Sequence, residues 1–228
     1  MENIKLKERL LKIWQKPNFT DFFQTFSKKG PIAMKKGTVI FNDGQPLDNL
    51  YFIKAGFAKL YRLSDEGRES IIYLYGPGQI LGIRALTSED ECAKHFAEAI
   101  TDLKILTISR NDYIEAVSNH PEYLVDLLHI FIDRLNYTER RLQSFVLTDT
   151  VARVALFLSD CVSRFGNGKN NTAELPLELT HQRIAEFVGS FRETVTVAIQ
   201  KLEKMGLITI KKGKIKHYPL LKPLVICI

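Results

Sequence analysis

Leu124, Leu128, Phe131, Leu135, Thr138, Leu142 and Phe145 recur at alternating spacings of four and three residues. That pattern predicts one long helix, from near Pro121 to about Val146, carrying a heptad seam through three heptads. A helix that packs on its own domain usually shows a broader apolar face, so the seam calls for a partner helix, most simply from a second copy of the chain. Thr138 interrupts the seam, with Arg134 and Glu139 close to it. Such a helix also divides the chain into two halves that read differently.

Upstream, residues 36–108 alternate β-rich runs, such as "TVIF", "LYFIKAGFAKLYRL" and "SIIYLYG", with turns at Gly37, Gly44, Gly56, Gly67, Gly76–Gly78 and Gly82. Strands at this regular spacing predict a small antiparallel barrel or jelly roll. Most of these glycines only turn corners. "PGQILG" is the exception, since a loop leaving a strand can turn backbone N–H groups toward an anionic ligand. It lacks the GxGxxG or GK[ST] pattern of a nucleotide loop, and "GNGKN" at 166–170 follows a helix rather than a strand, so neither reads as a P-loop.

Downstream, "HQRIAEFVGSFRETVTVAIQKLEKMGLI" (His181–Ile208) holds two short helical patterns on either side of Gly189. Thr180 and Ser190 are both good N-cap residues, and Ser190-x-x-Glu193 reads as a capping box opening the second helix. Ile184, Ala185 and Val188 can pack against Val195, Ile199 and Leu202, while Gly189 permits the turn. The result is a helix-turn-helix, with an ordinary αα-hairpin as the plainer alternative. Gly206 ends the second helix, and Leu207–Ile210 and Ile215–Tyr218 flank "KKGK", which predicts a small β-hairpin carrying four lysines. Polar residues on the second helix and this basic wing favour a winged helix-turn-helix.

Charge agrees with that reading. The net charge is +6, yet residues 1–147 carry 20 basic and 19 acidic side chains whereas residues 148–228 carry 12 and 7. The C-terminal excess is an electrostatic footprint for a polyanion. With no apolar run of transmembrane length and no cleavable signal pattern, the expectation is a soluble intracellular protein without a membrane partner. Cys92, Cys161 and Cys227 lack CxxC spacing, so no zinc site or iron–sulfur cluster is expected. The scattered histidines, His129 among them, read as packing or surface residues. No nucleophile–base motif, paired catalytic carboxylates or metal spacing is present, so no catalytic residue is assigned and an enzyme is not expected.

In its order of parts, β-barrel, long helix, hinge and winged helix-turn-helix, the chain resembles the Crp/Fnr family of ligand-controlled transcription regulators over nearly its whole length. "LTHQRIAEFVGSFRETVTVAIQKLEKMGLI" is similar to that family's DNA-binding signature and "LYFIKAGFAKLYRLSDEGRESIIYLYGPGQILG" to its sensor barrel. The implied class is α+β, with residues 1–118 an effector domain like those that bind cyclic nucleotides, 119–147 the dimerisation helix and hinge, and 148–228 the winged helix-turn-helix. Within the family, "GSFRETVTVAIQKLEKMGLITIKKGKIKHY", the barrel run and the pairing of Arg134 with Glu139 most resemble the NtcA branch, the global nitrogen regulators of cyanobacteria and their homologues in algal plastids. Usage rich in Lys, Ile and Phe suits an AT-rich plastid genome.

Departures from the family pattern matter as much. The cyclic-AMP subgroup carries a Gly-Glu pair and then an Arg-Ser pair in its pocket, where this chain has Gly82-Ile83 and Ala93-Lys94. The nitrogen-regulator resemblance instead implies 2-oxoglutarate as a small acidic effector, with no other cofactor. The effector would be held by backbone N–H groups of Leu81, Gly82 and Ile83 and by Arg134, with Glu139 helping to align that arginine. A second pocket arginine of that branch falls on Ala93, so either Lys94 supplies the cation or affinity is reduced.

The resemblance further implies a homodimer on a palindromic operator with half-sites about one helical turn apart, the helix beginning at Ser190 in the major groove, a hinge at Val146–Asp149, and an RNA polymerase partner. Arg192 is placed for a bidentate contact to guanine. Glu193 either accepts from a cytosine amino group or closes the capping box. Ser190, Thr194, Thr196 and Lys201 suit phosphate or peripheral contacts. Val197 stands where relatives commonly carry another arginine, which implies a relaxed or altered operator preference. An activator of nitrogen-related genes, in a bacterial cytoplasm or a plastid stroma, completes the expectation.

Overall fold

In the computed structural model, which describes residues 19–87, 92–169, 172–211 and 214–217, the β-rich runs form two antiparallel sheets. The strands are β1 (Ile32–Met34), β2 (Val39–Phe41), β3 (Asn49–Ala55), β4 (Ala58–Leu63), β5 (Glu69–Tyr75), β6 (Ile80–Leu81), β7 (Phe96–Ala99) and β8 (Leu103–Ser109). Their orders are β1-β8-β3-β6 and β2-β7-β4-β5, a jelly-roll arrangement in which, β4 and β5 apart, neighbours in space are not consecutive in sequence. Alternation along the strands fills the space between the sheets with Phe41, Ile53, Leu60, Leu81, Ala97, Leu103 and Ile105.

The first sheet is covered on its other face as well. Leu50, Phe52, Leu106 and Ile108 pack against helices α1 (Phe19–Phe26) and α2 (Arg110–Asn119), with Tyr123, Leu127 and Ile130 of α3 (Glu122–Leu147) joining the cluster. Burial on two faces explains why β3 and β8 read as almost continuous apolar runs. Helix α3 occupies the predicted span and carries two stripes. Tyr123, Leu127 and Ile130 pack on the outer core, while the apolar seam residues Leu124, Leu128, Phe131, Leu135, Leu142 and Phe145 are between 40% and 64% exposed.

The expected hinge is shorter than the sequence reading drew it. Val146 and Leu147 remain helical, and only Thr148 and Asp149 leave the helix. Both are held: Thr148 Oγ1 donates to the Ser144 carbonyl at 2.7 Å, and the Asp149 carboxylate accepts from the Ala152 N–H at 2.8 Å to cap α4 (Thr150–Phe165).

By internal contacts the chain groups into two units, one holding residues up to Arg62 with Tyr73–Tyr137, the other Leu63–Ile72 with Thr138 onward. In the second, α4 packs with α5 (His181–Val188) and α6 (Arg192–Lys204) through Val154, Phe157 and Leu158, Ile184 and Phe187, and Val195, Ile199 and Leu202. The Phe157 and Phe187 rings stack at 4.3 Å. The wing is a sheet of order β11-β12-β10-β9, where β9 (Asn167–Lys169) and β10 (Thr172–Glu174) form a hairpin missed by the sequence reading and β11 (Ile208–Lys211) pairs with β12 (Lys214–His217). Lys212, Gly213, Tyr218 and Cys227 lie outside the described residues.

Candidate nucleic-acid interface and effector pocket

Thr180 caps α5 as expected, its hydroxyl accepting from the Arg183 N–H at 3.2 Å. The turn then depends on Gly189, whose φ of 62° is left-handed and whose Cβ, if it had one, would lie 3.0 Å from the Phe145 ring. Its N–H and that of Ser190 both donate to the Ala185 carbonyl, closing α5 in the manner of a Schellman ending.

This closure corrects the predicted capping box. Ser190 is used to finish α5, so α6 begins two residues later, at Arg192, behind an extended Phe191 that makes no side-chain cap. Arg192 and Glu193 therefore open the helix and are exposed, as are Thr194 and Lys201. Glu193 favours the positive end of the helix dipole without needing the box. Thr196 is less exposed than Thr194 and Val197 on either side of it. Its half-buried hydroxyl donates to the Arg192 carbonyl at 2.9 Å and sits 2.9 Å from His181 Nδ1, tying α6 to α5.

Sequence reasoning missed Arg141. Its guanidinium donates to the Ile72 carbonyl at 2.6 Å, to the Ile71 carbonyl at 2.8 Å and to the Phe187 carbonyl, and it lies 4.8 Å from the Phe187 ring centroid and 5.6 Å from that of Phe145. Phe187 is in the last turn of α5, where carbonyls lack intrahelical partners, so a cation there satisfies both hydrogen bonding and the helix dipole. Only tertiary structure brings strand β5, helix α3 and helix α5 to one side chain.

In the first unit, a small cavity of about 30 Å³ brings Gly82, Ile83, Lys94 and Arg134 together with Arg84 and His95, and among the described residues no carboxylate lines it. Arg134 lies over the rings of Tyr73 at 5.4 Å and Tyr75 at 5.9 Å, and Tyr73 meets Tyr137 edge-on at 5.0 Å. Leu81 is fully buried in the core and does not line the cavity. Glu139 is exposed, groups with the other unit and is likewise absent from the lining. Gly82 has a second reason to be glycine: at φ 78° an added Cβ would come within 2.6 Å of the Asn49 carbonyl. Burial holds the pKa of His95 below its ordinary value, reinforced by the positive charges of Arg62, Arg134 and Arg84 and opposed by Asp43. Arg84 and His95 gave no sequence signal, because neither belongs to a periodic pattern or a spaced motif.

Among the described residues, no group of three or more His, Cys, Asp or Glu side chains could hold a metal ion, and no helix is long and apolar enough to cross a membrane. The cyclic nucleotide-binding domain family matches residues 31–120, and the Crp-like helix-turn-helix domain family matches residues 152–222. The chain is 29% identical over 181 residues to the CRP-like cAMP-activated global transcriptional regulator of Mycobacterium tuberculosis, covering 79% of this chain and 80% of the relative. It is 28% identical over 186 residues to the global nitrogen regulator of a Synechocystis strain, covering 81% and 83%. A transcriptional regulator of the CRP/FNR family from Thermus thermophilus matches in three dimensions with a TM-score of 0.69 at 29% identity, over 86% of this chain and 98% of that one. FixK2 from Bradyrhizobium japonicum, at a TM-score of 0.74 and 20% identity over 85% and 94%, shows the same fold. A jelly-roll domain, a long helix with an exposed seam and a helix-turn-helix whose second helix opens on Arg192 and Glu193 agree with these matches, and the chain belongs to the Crp/Fnr family as a DNA-binding transcription regulator rather than an enzyme.

Proposed function

We propose that the chain is an effector-controlled regulator that binds a palindromic operator as a homodimer and responds to a small dicarboxylate, 2-oxoglutarate being the first candidate. The observation that carries the effector reading is the cationic cavity, where Arg134, Arg84 and Lys94 converge beside Gly82 and Ile83. Such a site favours a ligand with more than one negative charge, and Arg134 suits a bidentate carboxylate contact. At about 30 Å³ the cavity is small, which suits a small dianion better than a cyclic nucleotide. Ile83 follows Gly82 where the cyclic-AMP subgroup carries a glutamate, which tells against a cyclic nucleotide.

The homodimer reading rests on the exposed seam of α3, since apolar side chains at heptad spacing lose solvent only against another helix. Nitrogen-related target genes are supported by likeness to relatives named as global nitrogen regulators. Activation through RNA polymerase, and a bacterial cytoplasm or plastid stroma as the setting, follow from the same resemblance. Effector binding would shift the balance between two dimer states and so the placement of the paired α6 helices.

Calorimetry of 2-oxoglutarate and of cyclic AMP with the wild type, Arg134→Ala and Lys94→Ala tests the effector. The expected result is binding of 2-oxoglutarate that Arg134→Ala abolishes and Lys94→Ala weakens. Binding of cyclic AMP alone would favour the reading suggested by the cAMP-activated relative. Binding of neither, with operator recognition intact, would leave an effector-independent DNA-binding protein.

A further inference from the structure

We infer that Val197 is a specificity-determining residue that reads the C5-methyl group of a thymine in the operator. The inference rests on α6 being the helix that enters the major groove. The buried side chains of α6, Val195, Ala198, Ile199 and Leu202, define its core-facing stripe. At about 100° per residue, Val197 points roughly 150° away from the centre of that stripe and only about 40° from Glu193, one turn earlier. It is 64% exposed, and its neighbours on the outward face, Glu193, Gln200, Lys201 and Lys204, are polar or charged and exposed.

A single exposed valine on an ordinary surface needs no explanation. Position matters here, because the outward midline of a recognition helix is the part that loses water against base edges. An aliphatic side chain there can satisfy no donor and no acceptor. The one apolar group that any base pair shows in the major groove is the thymine methyl. Opposite a cytosine amino group or a guanine oxygen, the same side chain would strip water from a polar group and return nothing, so it rejects G·C as well as favouring A·T. Valine in a helix is also confined almost to one χ1 rotamer, so its methyls are presented with little side-chain freedom left to lose.

The test begins with duplex DNA enriched from a random pool by the wild-type protein. Each thymine of the enriched sequence is then replaced in turn by deoxyuridine, which deletes only the C5-methyl. The expected result is one position per half-site where the replacement weakens wild-type binding about fourfold, the value of one buried carbon, and leaves Val197→Ala unchanged. Alanine at this position keeps the helix, so a loss confined to that position reports reading and not folding. If no thymine is sensitive, or if wild type and Val197→Ala lose equally at every position, Val197 does not read the base. A pool from which no sequence is enriched would overturn the DNA-reading role of α6 itself, and the inference with it.

Discussion

Arg141→Met keeps the aliphatic stem of this residue and removes the fork that joins β5 to α5. Three donated hydrogen bonds disappear, to the carbonyls of Ile71, Ile72 and Phe187, together with the stacking on Phe187 and Phe145. A hydrogen bond to a charged group contributes about 1.5–3 kcal/mol. These carbonyls are only part-buried, so water can replace some of what is lost, and three bonds made by one group do not add fully. A total of about 3–4 kcal/mol is the expected destabilisation, including about 0.5–1 kcal/mol from the aromatic contacts. Arg141→Lys should fall between the two, because an ammonium is a compact point donor that cannot span three carbonyls in the guanidinium geometry. Urea unfolding followed by circular dichroism measures both variants, with unchanged slope showing that the comparison is between like states. A loss below about 0.5 kcal/mol, or a lysine variant as stable as the wild type, would overturn this assignment, since it would mean that the carbonyls are equally well served by solvent.

Leu128→Glu and Leu135→Glu each place a charge in the α3 seam, opposite its own copy in a dimer, and sedimentation should show monomers; an intact dimer in both variants would exclude the seam as the interface. Gly189→Ala combines a left-handed φ of 62° with a Cβ 3.0 Å from the Phe145 ring, so thermal unfolding should show a loss of about 1–3 kcal/mol. Arg192→Ala should weaken the enriched operator by about 1–3 kcal/mol and flatten base preference at one position of each half-site, whereas equal weakening on random DNA would make Arg192 a phosphate anchor. Because His95 has a folded-state pKa below its ordinary value of 6.5, the unfolded chain takes up that proton first and stability is lost as pH falls below about 6.5. His95→Asn should remove that part of the acid sensitivity, and superimposable stability profiles for the two proteins would rule the assignment out.

What the sequence disclosed follows from how local each signal is. The 3.6- and 3.5-residue periods of α3, α5 and α6 are written in consecutive residues, and so is the left-handed turn at Gly189. The start of α6 is ambiguous in the sequence because two mechanisms compete for Ser190: its side chain invites a cap, while its N–H closes α5 on the Ala185 carbonyl. Only the conformation of Gly189 decides between them. Hairpin β9–β10 carries no sequence signal because "NGK" and "TAE" are too short and too polar to alternate. Of the residues lining the cavity, Gly82, Ile83, Lys94 and Arg134 are legible only through the family resemblance. Arg84 and His95 arrive from a 3-10 turn and from the residue preceding β7, and no sequence spacing relates the two to Arg134 on α3. Arg141 shows the same limit, since its three acceptors lie 69, 70 and 46 residues away along the chain.

An operator-binding regulator whose affinity for DNA is set by a small anion in the jelly-roll cavity must show both properties in one titration. Fluorescence anisotropy on an operator enriched by the wild-type protein, with and without 2-oxoglutarate and beside a random duplex of equal length, supplies it. The expected enriched sequence is palindromic with half-sites about one helical turn apart. It should be bound more tightly when 2-oxoglutarate is present, with the gain absent in Arg134→Ala and the random duplex unaffected. Operator and random duplex bound alike, with no response to the dicarboxylate, would exclude such a regulator.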